Sequence, residues 1–229
     1  MHTPQTLSHR FAPDPAPGPG RRGLRLLAAA VPLVWAPFVL VHPTTTPFAG
    51  PADRLDLWLT VHLAQLVLAP FLAIAVWSLL GGLTGAAANT AKIALALWLS
   101  FFSAFDAIAG VAIGRLSQQA SHLSDEKRNA VVDALTHLFD HDPFIGGGIS
   151  VLSMLAQPLW LAVAGTAAFA LHRAGAPRIT VTTMWLSLLF ATHGGPLAAL
   201  GLLALAVAIA TADQVERAHV RKSADPVNG

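Results

Sequence analysis

Four ionisable side chains lie inside or beside apolar stretches of this 229-residue chain, and they are its strongest candidates for chemistry. Asp106 is the single charged residue between Ser100 and Gly114, and His42, His62 and His193 belong to three other apolar stretches. Imidazole is a good ligand for zinc or copper, and a carboxylate can complete such a ligand set. The pattern predicts a site for a metal ion, a proton or a small polar ligand, with His62, Asp106 and His193 as the metal ligands.

The composition is that of a protein embedded in lipid. Hydrophobic residues make up 54% of the chain and charged residues only 11%, whereas soluble domains carry about a quarter charged residues. The apolar runs reach the roughly 20 residues that a helix needs to cross a bilayer. Trp58 and Trp77 lie near the two ends of one run, where aromatic residues commonly meet the membrane surface. We therefore predict an integral membrane protein with the lipid bilayer as its partner.

The charge and the cysteine content exclude further kinds of function. The net charge is only +2, and the basic residues flank the apolar runs as topology signals do, so we expect no nucleic-acid binding. The chain has no cysteine. Disulfides, thiolate metal sites and a cysteine nucleophile are therefore ruled out.

The fold class predicted is an all-α bundle of six membrane-spanning helices. Residues 1–23, rich in Pro, Gly and Arg, form a predicted disordered tail, residues 24–212 the bundle, and residues 213–229 a second tail. Gly110 and Gly114 make a GxxxG pair, which is typical of closely packed membrane helices. The first four predicted spans are residues 24–41, 57–80, 93–113 and 145–171.

The last apolar stretch, residues 179–212, is interrupted by the sequence HGGP at His193–Pro196. It forms either one kinked span or a hairpin of two short spans. With six spans, ten Lys and Arg residues lie in the cytoplasm, and four lie outside (Arg54, Arg115, Lys127, Arg128). With five spans the division is seven to seven, so the positive-inside rule favours six spans with both termini in the cytoplasm. We expect a multi-pass protein of a cell membrane, of the bacterial inner-membrane type.

In the six-span topology, the four ionisable residues lie at a similar depth in the membrane. Asp106 lies about 20 Å from the cytoplasmic side of a hydrocarbon core that is about 30 Å thick. His62 lies about 8 Å below the outer surface of that core. His42 and His193 end spans on that same side, and Gln65 shares a helical face with His62. Because an unpaired carboxylate in lipid costs several kcal/mol, we expect the histidines to be the partners of Asp106.

A second group of candidate ligands lies between the third and fourth spans. Ser124 is a predicted start for an amphipathic helix on the membrane surface. Asp133, His137 and His141 share one face of that helix, and two histidines at this spacing can bind a metal ion. No glutamate follows His137, so the metalloprotease pattern is missing. A polar stripe facing water is the other interpretation.

Several functions fit these residues. The preferred one is binding or transport of a metal ion, a proton or a small polar ligand. One alternative is an intramembrane, metal-dependent hydrolase acting on a lipid-like substrate, and another is a membrane scaffold without a site. A haem held by His62 and His193 is a further possibility. The chain has neither a phosphate-binding Walker loop nor the GxSxG motif of a serine hydrolase.

Overall fold

A computed structural model describes residues 19–43, 46–48, 52–146 and 150–212, and every regular element in these ranges is helical. A π-helical segment, Asp106–Ala112, joins α3 and α4 into one continuous helix, and a 3-10 segment, Ser187–Thr192, extends α7. The predicted all-α class is confirmed. The helices are α1 Pro19–Leu40, α2 Ala52–Leu80, α3 Ala86–Phe105, α4 Ile113–Ala120, α5 Asp125–His141, α6 Val151–Arg173, α7 Arg178–Leu186 and α8 Gly195–Thr211.

Among the described residues, four helices are long and apolar enough to cross a membrane, and they correspond to the first four predicted spans. Large apolar side chains such as Leu27, Ile74 and Leu97 are exposed on their outer faces. This is the arrangement expected where lipid replaces water around the helices. The chain is therefore a membrane protein. The four candidate spans are Gly23–Leu40, Arg54–Leu80, Ala86–Ala120 and Val151–Arg173.

Six helices pack side by side in a closed ring, in the order α1, α2, α3, α6, α7, α8 and back to α1. Inside this ring, Trp35, Trp98, Phe102, Trp160 and Phe190 form a continuous aromatic core with edge-on and stacked contacts. The amphipathic helix between the third and fourth spans is present as α5. Its N-cap is Ser124, as predicted.

Two boundaries differ from those predicted. Helix α1 begins at Pro19, so residues 19–23 of the predicted disordered tail are helical. The rest of that tail, and the second tail at 213–229, lie outside the described residues. The third predicted span, 93–113, is part of a longer helix that covers Ala86–Ala120.

The fourth span begins at Val151 rather than at residue 145. Ser150 and Ser153 form a reciprocal capping box, in which each side chain accepts a hydrogen bond from the other's backbone N–H. Such a box satisfies backbone donors that a helix start leaves free. The Asp142 carboxylate accepts hydrogen bonds from the N–H groups of the two residues before Gly146, which holds that segment in a turn. Hydropathy alone does not detect either polar signal.

The final apolar stretch consists of two helices that lie alongside each other. The hydroxyls of Thr180, near the start of α7, and Thr211, at the end of α8, are 2.8 Å apart. Gly201 of α8 lies against the backbone at Phe190, where an added Cβ would overlap it. The two helices therefore run in opposite directions from the break at His193.

Candidate metal centre

Three histidines from separate parts of the chain meet at one end of the ring. One ligand nitrogen from each of His42, His62 and His193 lies within 4.8 Å of the other two. If the three nitrogens are 4.8 Å apart, an ion placed at equal distance from them lies about 2.8 Å from each. A zinc–nitrogen bond is about 2.0–2.1 Å long, so small side-chain movements are enough to bring all three nitrogens to that distance. The His42 ring contacts both others, with ring centroids 4.9 Å from His62 and 5.1 Å from His193.

Backbone carbonyls orient two of the three imidazoles. His62 Nδ1 donates to the carbonyl of Trp58 at 2.7 Å, and His42 Nδ1 donates to the carbonyl of Pro43 at 2.9 Å. A carbonyl only accepts, so in both rings Nδ1 carries the hydrogen and Nε2 keeps its lone pair. Metal-binding histidines are typically held in this way by a partner on the second nitrogen.

His42 lies two residues beyond the end of α1. Burial lowers the pKa of its imidazole, and the hydrogen bond to the Pro43 carbonyl opposes that effect only in part. The ring is therefore neutral at neutral pH, which is the form that binds a metal ion. Its Nε2 is buried and has no hydrogen-bond partner among the described residues.

Asp106 lies beside this cluster and is completely buried, with 0% of its surface exposed. One carboxylate oxygen is 3.9 Å from Nε2 of His62, and neither oxygen has a hydrogen-bond partner in the part of the chain that is described. A buried carboxyl group without partners is costly, and a bound cation would compensate it. Asp106 is also the first residue of the π-helical segment, a geometry that often occurs at functional sites.

The π segment and α2 fit together through Gly110 and Trp58. The Trp58 indole donates to the Gly110 carbonyl at 2.7 Å and stacks on the His62 ring at 4.3 Å. The missing side chain of Gly110 makes room for the His62 ring. Trp58, predicted to lie near the membrane surface, is only 5% exposed and packs inside the bundle against His62 and Phe139. Its spacing of four residues from His62 was the signal that could have shown this.

His193 occupies a strained turn. Its backbone φ is 66°, and the N–H of Gly194 donates to the carbonyl of Thr192 at 2.8 Å, which closes a three-residue γ-turn around His193. This turn is rare and strained for any residue other than glycine. Since Gly194 and Gly195 follow directly, a glycine at 193 would form the turn with less strain. The imidazole is therefore present despite a conformational cost.

Gln65 lies one helical turn from His62, at the centre of α2. It is completely buried, and neither amide atom has a hydrogen-bond partner among the described residues. Buried polar groups normally have partners, so an amide with none indicates a place for water or a ligand. Gln65 was predicted to lie on the same helical face as His62.

A cavity of about 80 Å³ lies next to His193, between α3, α6 and the 3-10 segment. This volume can hold several water molecules or a small group of a ligand. Ser153 and Gln157 provide polar groups on the α6 side. The remaining lining is mainly aromatic: Trp98, Phe102, Phe105, Trp160 and Phe190.

The second group of predicted ligands lies apart from this cluster, on α5. The rings of His137 and His141 are stacked with centroids 4.9 Å apart, and Asp133 lies on the same helix; all three residues are exposed. Among the described residues, His42, His62 and His193 form the one group of three or more potential ligands close enough to share an ion.

Comparisons of this chain with protein-family models, with curated proteins and with solved structures found no match.

Proposed function

We propose that this protein is a multi-pass membrane protein that binds one transition-metal ion through His42, His62 and His193, in a binding or transport role. The observation that carries the proposal is the meeting of three imidazoles from three different segments, with their ligand nitrogens within 4.8 Å of one another. Packing alone does not require three polar rings at one point in an apolar bundle.

The donor set favours zinc or copper. Imidazole nitrogen suits both ions, and hard cations such as magnesium prefer oxygen ligands instead. The Asp106 carboxylate, 3.9 Å from His62, would balance part of the charge of a divalent ion. A fixed hydrogen on Nδ1 of His42 and of His62 leaves the lone pair of each Nε2 available to a metal ion.

We also infer that the chain crosses the membrane six times, with both termini in the cytoplasm. Helix α8 has 17 residues, which at about 1.5 Å per residue is roughly 26 Å. Helix α7 with its 3-10 segment has 9 and 6 residues and reaches a similar length, because a 3-10 helix rises about 2.0 Å per residue. Both lengths approach the bilayer core of about 30 Å. The distribution of Lys and Arg supports the same topology.

A metal-dependent hydrolase with a lipid-like substrate is the second candidate. Three protein ligands leave a fourth coordination position open, as in catalytic zinc sites. The cavity beside His193 supports this alternative, since it offers space for an apolar group next to one ligand. Release of fatty acid from ester lipids in proteoliposomes, dependent on added zinc and on His193, would distinguish catalysis from binding alone.

Elemental analysis tests the binding proposal directly. The protein is purified without a histidine tag, loaded with Zn²⁺ or Cu²⁺, passed over a desalting column and measured for metal per chain. We expect one retained ion in the unaltered protein and in the His172→Ala control, which removes an exposed imidazole at the far end of α6. His62→Ala and His193→Ala should each lose it. Equal retention in all four proteins would overturn the proposal.

A further inference from the structure

Helix α5 carries a pair of histidines that the interior site does not use. His137 and His141 are separated by one helical turn, and their rings lie with centroids 4.9 Å apart and planes inclined by 19°. Both side chains are exposed, and neither forms a hydrogen bond within the described residues. The pair is therefore free to take up a ligand.

The centroid spacing of the two rings is compatible with a shared metal ion once the nearly parallel planes, inclined by 19°, turn so that one nitrogen of each ring points to it. With a metal–nitrogen distance of about 2.0–2.1 Å and a near-tetrahedral angle, the centroids of two imidazoles on one ion lie roughly 5 Å apart. The separation of His137 and His141 is 4.9 Å. Because both rings are exposed, each can turn about its Cβ–Cγ bond and direct a nitrogen to a common point without moving the helix.

Helix α5 also lies at the same end of the bundle as the interior cluster. Phe139, between the two histidines in sequence, packs against Trp58 with ring centroids 6.4 Å apart. Trp58 in turn stacks on His62. The exposed pair and the interior histidines therefore share one end of the molecule, separated by a layer of aromatic side chains.

We propose that His137 and His141 form a second metal site, a solvent-exposed two-histidine chelate for a divalent transition ion such as Cu²⁺, Zn²⁺ or Ni²⁺. Asp133, His137 and His141 do not form a three-ligand group in the described conformation. Water fills the other coordination positions, so this site is weaker than the interior one and exchanges its ion faster. Ions that reach this end of the bundle from solvent bind to this site first.

The test uses a protein in which the interior site has been removed. His42, His62 and His193 are all replaced by alanine, the chain carries no histidine tag, and Cu²⁺ alone is titrated while the electron paramagnetic resonance spectrum is recorded. We expect one ion with two nitrogen ligands. A further His141→Gln substitution should weaken this binding about tenfold or more, since the chelate is lost. The result does not depend on whether the interior site binds metal.

His122→Gln is the matched control, because it also removes one exposed imidazole, in the turn that leads into α5. It should leave the two-nitrogen signal unchanged. If the triple variant folds poorly, the same comparison is made in the unaltered protein with the interior site first saturated with Zn²⁺. Equal Cu²⁺ affinity with and without His141, or a signal from a single nitrogen, would overturn the proposal.

Discussion

The His62 imidazole lies directly over Gly110, so closely that a Cβ atom on Gly110 would overlap the ring. Trp58 stacks on the same ring and donates a hydrogen bond to the Gly110 carbonyl. One missing side chain and one backbone oxygen of the π segment therefore determine where a ligand of the proposed metal site lies.

Replacing Gly110 with alanine should displace His62. We expect metal affinity to fall about 10- to 100-fold, as for other changes that misplace a ligand without removing it. Overpacking of this kind should also lower the free energy of unfolding by about 1–3 kcal/mol. A competition titration against a chelator measures the affinity, and chemical denaturation measures the stability.

Gly165→Ala is the control for this change. Gly165 is also a helical glycine, but a Cβ there would lie 3.5 Å from the nearest atom of Trp185, an ordinary contact. Metal affinity should not change, and the helix should be slightly stabilised, because alanine is the better helix former by about 1 kcal/mol. Unaltered affinity in Gly110→Ala as well would show that the position of His62 does not matter.

Asp106→Asn keeps the shape of the side chain and removes its charge. Because the carboxylate lies 3.9 Å from His62 and has no hydrogen-bond partner among the described residues, we expect its main contribution in the metal-bound state. Metal affinity should fall about tenfold or more, while the metal-free protein should be no less stable. Thermal unfolding with and without Zn²⁺ separates the two effects. A large loss of stability without metal would indicate a packing role instead.

His193→Ala and His193→Gly should both lose the metal ion but differ in stability. Each removes the imidazole, so they differ only in the backbone strain at a φ of 66°. Alanine retains a Cβ in this strained turn and glycine does not, so the glycine variant should be more stable by about 1 kcal/mol. Thermal unfolding of the two purified variants measures the difference. An alanine variant of equal or greater stability would contradict the role assigned to the turn.

Single cysteines can test the six-span topology, because the chain has no cysteine of its own. Asn129→Cys should react with a membrane-impermeant maleimide added to intact cells. Thr84→Cys and Ser223→Cys should react only after the membrane is permeabilised. If Ser223→Cys behaves like Asn129→Cys, the chain crosses the membrane an odd number of times and the six-span topology fails.

Much of the fold follows from hydropathy. The first four predicted spans agree in approximate position with the four helices that are long and apolar enough to cross a membrane, because a bilayer requires long uninterrupted apolar helices. The start of α5 after Ser124 was also predicted, since a capping residue followed by acidic residues is a local signal. The start of α6 was not, because its serine capping box lies inside an apolar stretch.

The surroundings of the site were harder to predict. A tryptophan near the end of a span is equally typical of a membrane surface and of a buried contact, so the role of Trp58 was missed. The π segment that begins at Asp106 has no signature in the sequence, because an extra residue in a helical turn is stabilised by the packing around it. The γ-turn at His193 depends in the same way on its neighbours.

The sequence by itself predicted that the polar side chains lie at a similar level along their helices, because the position of a residue along a helix is set by the rise per residue. It could not determine how the helices are ordered and rotated around the bundle axis. The tertiary structure decided this by placing α1 between α2 and α8, so that the His42 ring contacts both His62 and His193. Packing of complementary surfaces, which involves residues far apart in the chain, is the physical reason.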